Sequence, residues 1–266
     1  LLTGADPDLV KFVLKSCKKH FESLMLDSKV AGIKEAASGA GYLASIEHNG
    51  NTQELEFDKV LVAVGRRPNT DNLGLENTKI TLTPQGLIEV DETCCTVEPN
   101  IYAIGDIVPG PQLAHKASRE GKVAAEVIAG KPSAFDNRAI PAVVFTDPEM
   151  AWAGLTEVEA NEQGRTVKIG RFPLKASGRA RTMSRTDGMV KIITDPESAL
   201  VLGVGMVGPH ASELIAEATL ALEMGATLED MMVTIHPHPT LSEALMEASE
   251  DAAGVPVHIH HPGVRH

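Results

Sequence analysis

His236-Pro237-His238-Pro239-Thr240-Leu241-Ser242-Glu243 sets an imidazole five residues ahead of a carboxylate, across a proline and a helix start. Histidine has the side chain whose unperturbed pKa lies nearest neutrality. A carboxylate on one ring nitrogen fixes the tautomer and stabilises the imidazolium, leaving the other nitrogen to move a proton. The same residues read equally as Thr240-x-x-Glu243, a capping box in which Glu243 only bonds the backbone at a helix N-terminus. Spacing alone leaves both readings open.

Composition narrows the classes. The 266 residues, 43% of them hydrophobic, suffice for one or two domains with cores of their own. A net charge of -12 with no basic stripe argues against nucleic-acid partners. There is no run of about 18 apolar residues and no charged-then-apolar leader, so neither a membrane span nor a secretory signal is expected and the cytoplasm is the default. Cys17, Cys94 and Cys95 have no framework spacing and suit a reducing compartment. The vicinal Cys94-Cys95 reads as a strand coincidence, because no helix start or paired spacing lowers its thiol pKa.

Asp6-Pro7 reads as a helix N-cap and first-turn proline, and Leu9, Val10, Val13, Leu14 and Cys17 recur at helical spacing, predicting a helix over about 8–20. Strands are expected around Met25 to Val30 and Tyr42 to Glu47, with Asn49-Gly50 as a hairpin turn, then at the apolar run Val60 to Val64. Ile101 to Ile104 reads as a buried strand ending at Gly105-Asp106, followed by a helix from His115 to Ala129 closed by Gly130. From about Ile140 the pattern becomes strands (142–145, 166–172, 189–194, 200–207) interleaved with helices (212–224, 228–233), an α+β layer. Leu214, Ile215, Ala218, Ala221 and Leu222 form one apolar helix face, expected to be buried against a partner subunit.

The 236–243 motif resembles the C-terminal motif of the flavin disulfide oxidoreductases, the dihydrolipoamide dehydrogenases in particular. Val62-Ala63-Val64-Gly65-Arg66-Arg67-Pro68-Asn69-Thr70, Asn100 to Asp106, Leu113-Ala114-His115-Lys116, and Phe145 to Glu149 with Gly154 to Glu157 are similar to that family's blocks, in the family's order, up to about Ser249. The resemblance implies an α/β plus α+β chain: residues 1–68 as the C-terminal part of an NAD-binding domain, 69–139 as a central FAD-domain segment, 140–253 as the interface domain and 254–266 as a tail. It also implies site roles. His238 would be the base and Glu243 its orienting partner, with His236 structural. Asp106 would accept from the flavin ribityl hydroxyls, Leu113, Ala114 and His115 would offer backbone donors to FAD, and Gly65 would lie near NAD. A helix N-terminus suits the negative charge of a reduced flavin.

Gly203-Val204-Gly205-Met206-Val207-Gly208 is a literal GxGxxG, but it is rejected as a nucleotide loop. It sits in an antiparallel-type strand, and no strand bearing a ribose-binding acid follows its helix. By the resemblance, family chemistry also needs two cysteines four residues apart and glycine loops for FAD and NAD, none of which this sequence contains. The sequence lacks an initiating Met and reads as part of a longer chain carrying half an active site. The intact enzyme is expected to use FAD and NAD, this chain alone to retain neither, and no metal site is assigned. The implied partners are a second copy, forming a homodimer in which the dyad serves the other subunit's disulfide, and the lipoyl-bearing acyltransferase of a 2-oxo acid dehydrogenase complex. The alternative is an inactive dimerisation or docking module of such a complex. The tail's clustered His258, His260, His261 and His266 have no fixed partners, and a mobile tail is expected in place of a metal site.

Overall fold

Antiparallel strands dominate the second half of the chain, where the apolar runs at 189–194 and 201–208 are covered on both faces. The computed structural model describes residues 1–260. Strands β4 (Ala142–Val144), β5 (Glu149–Gly154), β6 (Lys168–Pro173), β7 (Met189–Thr194) and β8 (Val201–Gly208) form a sheet in the order β4-β5-β8-β7-β6, every pairing antiparallel. Three of the four strands expected there recur with ends shifted by a residue or two, and β7 matches at both ends. Strand β5 was not foreseen, since the Pro148 beside it reads as a turn.

The pleat sends alternate residues of β7 and β8 to opposite faces. Val190, Ile192, Val204 and Met206 join the larger core, which is closed by α5 (Ala211–Met224), α6 (Leu228–Val233) and α7 (Glu243–Ala253). Met189 and Val207 face the other way and pack with Leu9 and Val13 of α1 (Pro7–His20). At roughly 25 cal/mol per Å² of apolar surface, burying Leu9 and Val13 contributes on the order of 3–5 kcal/mol to that contact. Two short helices, α3 (Glu157–Glu162) and α4 (Gly178–Thr182), fill the connections and start at Thr156 and Ser177, whose side chains accept from the third backbone N–H beyond them.

The α5 face expected to meet a partner is already occupied. Ile215, Ala218, Ala221 and Leu222 are buried in the chain's own core, while Leu220 and Met224, on the opposite side, are 62% and 75% exposed. The periodicity was legible; which side met the sheet was not.

The first half is looser. Strands β1 (Ser28–Glu35), β2 (Tyr42–His48) and β3 (Asn51–Phe57) make an antiparallel meander, with Asn49 and Gly50 both at positive φ in a two-residue turn of the type Asn-Gly favours. Strand β1 begins later than expected. Val60 to Val64 joins no sheet, and Leu61 and Val64 are 92% and 93% exposed, so this apolar run lacks the neighbouring strands that would turn it into a ladder. Ile101 to Ile104 is not a strand either: its ladder is a single bridge, Cys95 to Tyr102, and Ala103 alone is buried. Helix α2 (Ala114–Ile128) follows, closed by Gly130 at φ 75° as the sequence predicts.

No described helix is long and apolar enough to cross a membrane. Within the described part of the tail, His258 Nδ1 bonds Glu247 Oε1. The expectation for His261 and His266 lies outside the described residues.

Candidate active site

The turn that carries His238 is built by two helix ends and two prolines. Helix α6 stops at Thr234, whose hydroxyl donates back to the Asp230 carbonyl. Pro237 and Pro239 lack the N–H a helix needs and push the residues before them out of the α region, so His236 and His238 stand on a non-helical loop. Helix α7 resumes at Glu243.

Glu243 satisfies both readings of its motif. Its Oε1 lies 2.8 Å from His238 Nδ1 and its Oε2 accepts from the Thr240 N–H at 2.7 Å. The capping box is only half made, because the Thr240 hydroxyl donates to the Pro237 carbonyl and contacts Ser242 Oγ. Burial pushes the Glu243 carboxyl up, but the Thr240 N–H, the His238 contact and the charges of His238 and His236 together hold it below its ordinary value. A carboxylate there makes Nδ1 the donor, leaving Nε2 on a ring that is 76% exposed. Beside the dyad is a cavity of about 300 Å³ lined by Phe172, Ser177, Arg181, Glu247 and His258 among others. An exposed imidazole with an oriented tautomer can take and return a proton.

A second group of predicted residues gathers elsewhere. Asp106 sits in a 3-10 turn, Gly105–Ile107, with Gly105 at φ 77°. Its carboxylate is 43% exposed and 3.3 Å from Arg66 Nη1, and Gln112 donates to its carbonyl at 3.2 Å. Leu113 is the N-cap of α2 and supplies no side-chain acceptor, so the first-turn N–H groups of Ala114 and His115 have no cap. The His115 ring is used differently, its Nε2 donating to the Pro141 carbonyl at 2.7 Å. Gly65, at φ 112°, has open space where a side chain would be; the neighbouring Arg66 is what joins that segment to Asp106. A half-exposed carboxylate beside an uncapped helix start suits hydroxyl donors next to an electron-rich ring.

Sequence reading missed the support beneath that turn. Lys116 and Glu120 have side chains 3% and 5% exposed with 2.6 Å between charged atoms, and Glu120 Oε2 accepts from the Gly105 N–H at 2.8 Å. The signal was present as opposite charges four apart on the apolar side of a helix. Also missed was the cluster around Lys191, fully buried, whose Nζ lies 2.6 Å from Asp6, 2.7 Å from Asp8 and 3.0 Å from Glu157. These three carboxylates are close enough to share a metal ion, but the Lys191 ammonium fills the space between them and Arg171 holds Asp8 and Glu157 from outside.

The glycines of the rejected loop serve packing. They lie in the central strand β8; a Cβ on Gly203 would be 1.9 Å from the Leu155 carbonyl oxygen, and one on Gly205 would be 2.5 Å from Leu9. Cys94 is buried with its thiol pushed up, chiefly by burial and then by the nearby Glu120 charge, and Cys17, Cys94 and Cys95 are all free. A raised thiol is a poor nucleophile.

Residues 1–121 match the pyridine nucleotide-disulphide oxidoreductase family model, and residues 140–249 match that family's dimerisation-domain model. The chain belongs to the pyridine nucleotide-disulphide oxidoreductase family. It is 50% identical over 259 residues to dihydrolipoyl dehydrogenase of Geobacillus stearothermophilus, covering 97% of this chain and 55% of that one. It is 54% identical over 216 residues to dihydrolipoyl dehydrogenase of Halobacterium salinarum, covering 81% and 46%. Among solved structures it resembles LpdA from Mycobacterium tuberculosis, with a TM-score of 0.85 and 28% identity over 92% of this chain and 52% of that one. The chain spans about half the length of the curated relatives it matches.

Proposed function

We propose that this chain is the C-terminal portion of a dihydrolipoamide dehydrogenase and supplies its acid–base dyad and dimer face. The observation that carries the reading is the His238–Glu243 contact at 2.8 Å on an exposed ring. His238 Nε2 takes a proton from the dithiol, so that the resulting thiolate can attack a disulfide held elsewhere in the enzyme. Glu243, kept ionised, stabilises the imidazolium until the proton is returned.

Asp106 and the start of α2 suit the ribityl and pyrimidine parts of a flavin, with Gly65 toward NAD. FAD, when bound, would carry the two electrons from the dithiol to NAD. For this chain alone we propose neither turnover nor retained cofactor, since Cys94 is a buried, raised thiol and the one glycine motif is packed inside a sheet. Exposed Leu220, Met224, Val233 and Ile235 support a homodimer. The lipoyl-bearing acyltransferase as partner and the cytoplasm as compartment rest on the family reading and on three free thiols.

The test is NAD-linked dihydrolipoamide turnover by the full-length enzyme with and without His238→Gln. Wild-type turnover in the variant would refute the dyad. A chain that forms dimers and docks to the acyltransferase but never restores turnover when the other half is supplied would favour a docking module.

A further inference from the structure

His236, two residues before the base, is more than loop packing. Its side chain is 4% exposed, with Nδ1 2.9 Å from the Thr234 carbonyl oxygen and Nε2 2.7 Å from Glu217 Oε1. A carbonyl oxygen can only accept, so Nδ1 carries a proton. Nε2 then meets a carboxyl group, and a second proton must lie between them, on one or the other. That makes a strong, directional contact. Glu217 belongs to α5 and Thr234 ends α6, so one ring fastens the loop to two helices. Pro237, with its fixed φ, is the one residue between this anchor and His238, so little slack separates them. Helix α5 also carries the outward-facing Leu220 and Met224, and Ile235, beside His236, is 95% exposed.

We infer that His236, through Glu217, is a positioning residue for the His238 base, tying the loop to the helix whose outer face a second copy of this chain would cover. The inference rests on the reading of His238 and Glu243 as the base and its partner. Its consequence is that base placement and dimer contact share one helix.

The experiment uses the full-length enzyme and two readouts: kcat for dihydrolipoamide oxidation, which needs the base, and NADH oxidation by a one-electron dye, which draws on the flavin without it. Glu217→Ala cuts the tie, and His236→Asn keeps the Thr234 contact but falls short of Glu217. Glu217→Gln can still donate to Nε2. Glu217→Ala and His236→Asn should each lower kcat on the order of 10-fold, in keeping with the cost of misplacing a reacting group, and the double variant should lose no more than either. Dye reduction, flavin content and dimer mass should stay at wild-type levels, and Glu217→Gln should remain within about threefold of wild type.

Wild-type kcat in Glu217→Ala overturns the inference, as does a double variant whose losses multiply or a parallel fall in dye reduction. Glu217→Gln as impaired as Glu217→Ala would show that charge, not the tie, matters, and would overturn it too. His238→Gln, run alongside, separates the two failures. If it retains full turnover the base reading fails; if it is impaired while Glu217→Ala is not, only this inference does.

Discussion

Glu243 holds His238 Nδ1 with one carboxylate oxygen while the other accepts the Thr240 N–H, so orienting the imidazole and starting helix α7 are one act. A glutamine at 243 has a single carbonyl oxygen and can serve only one of the two donors. His238→Gln in the full-length enzyme should lower dihydrolipoamide oxidation on the order of 100-fold or more, as a lost general base does, with flavin content unchanged. Glu243→Gln should be milder in turnover but cost about 1 kcal/mol of stability, as a lost helix cap does. Steady-state kinetics beside urea denaturation separates the roles; a larger turnover defect at 243 than at 238 would assign Glu243 to the fold alone.

The acid limb of stability should carry the Glu243 signature. Its carboxyl is held below its ordinary value in the folded chain, burial being outweighed by the Thr240 N–H and the contacts of His238. A depressed folded pKa stabilises above the unfolded value, about 4.3, and that contribution disappears as pH falls through the folded value. The stability gap between wild type and Glu243→Gln should therefore be full at pH 6 and shrink as pH falls below about 4. A gap that widened on acidification would contradict the lowered carboxyl.

What the sequence made legible was periodic or chemical. Pro7, the Asn49-Gly50 turn, the Gly130 stop and the strand at 189–194 are where expected, because each rests on local backbone preference. What it hid depends on partners far along the chain. The inward face of α5 was visible as a stripe, yet the stripe could not say that β5 and β8 would claim it before any second subunit could. Val60 to Val64 reads as a strand from composition alone, but a strand needs neighbours. In the site, spacing left the His238 and Glu243 pair open between a dyad and a capping box and the resemblance favoured the dyad, whereas Glu217, nineteen residues before His236 and on another helix, left no local trace.

Lys191 should be among the most sensitive positions for folding. It is fully buried among Asp6, Asp8 and Glu157, and Asp6 also accepts from the N–H groups that open α3, at 3.1 Å each. Lys191→Met removes the cation and leaves carboxylates facing one another, a loss of about 3–5 kcal/mol for breaking a buried ion pair. Asp8, held low against burial by Lys191 and Arg171, should then become easier to protonate. Urea midpoints would measure the loss, and a cost below about 1 kcal/mol would mean that water reaches the cluster.

The two faces of α5 should answer differently to the same kind of change. Leu220→Asp with Met224→Asp places charge on side chains that are 62% and 75% exposed, so the folded chain should persist while the dimer dissociates. Ala218→Asp puts an unpaired charge at a site with no exposure and should unfold the sheet layer. Sedimentation together with circular dichroism reads both outcomes. A dimer that survives the charged outer face would place the subunit contact elsewhere.

The 266-residue chain by itself should be a colourless dimer without dihydrolipoamide turnover. The five-stranded sheet and its helices leave Leu220, Met224, Val233 and Ile235 exposed, apolar surface that favours association. Asp106 and an uncapped helix start give a flavin one end of a site; among the described residues, the one GxGxxG lies packed in β8, where no pyrophosphate could reach it. Cys94, raised by burial, cannot take the place of a redox pair. A flavin band near 450 nm retained through gel filtration would show that the chain binds the cofactor unaided. Turnover regained on mixing with the other half of a relative, and lost again in His238→Gln, would place this chain's dyad against a disulfide it does not itself carry.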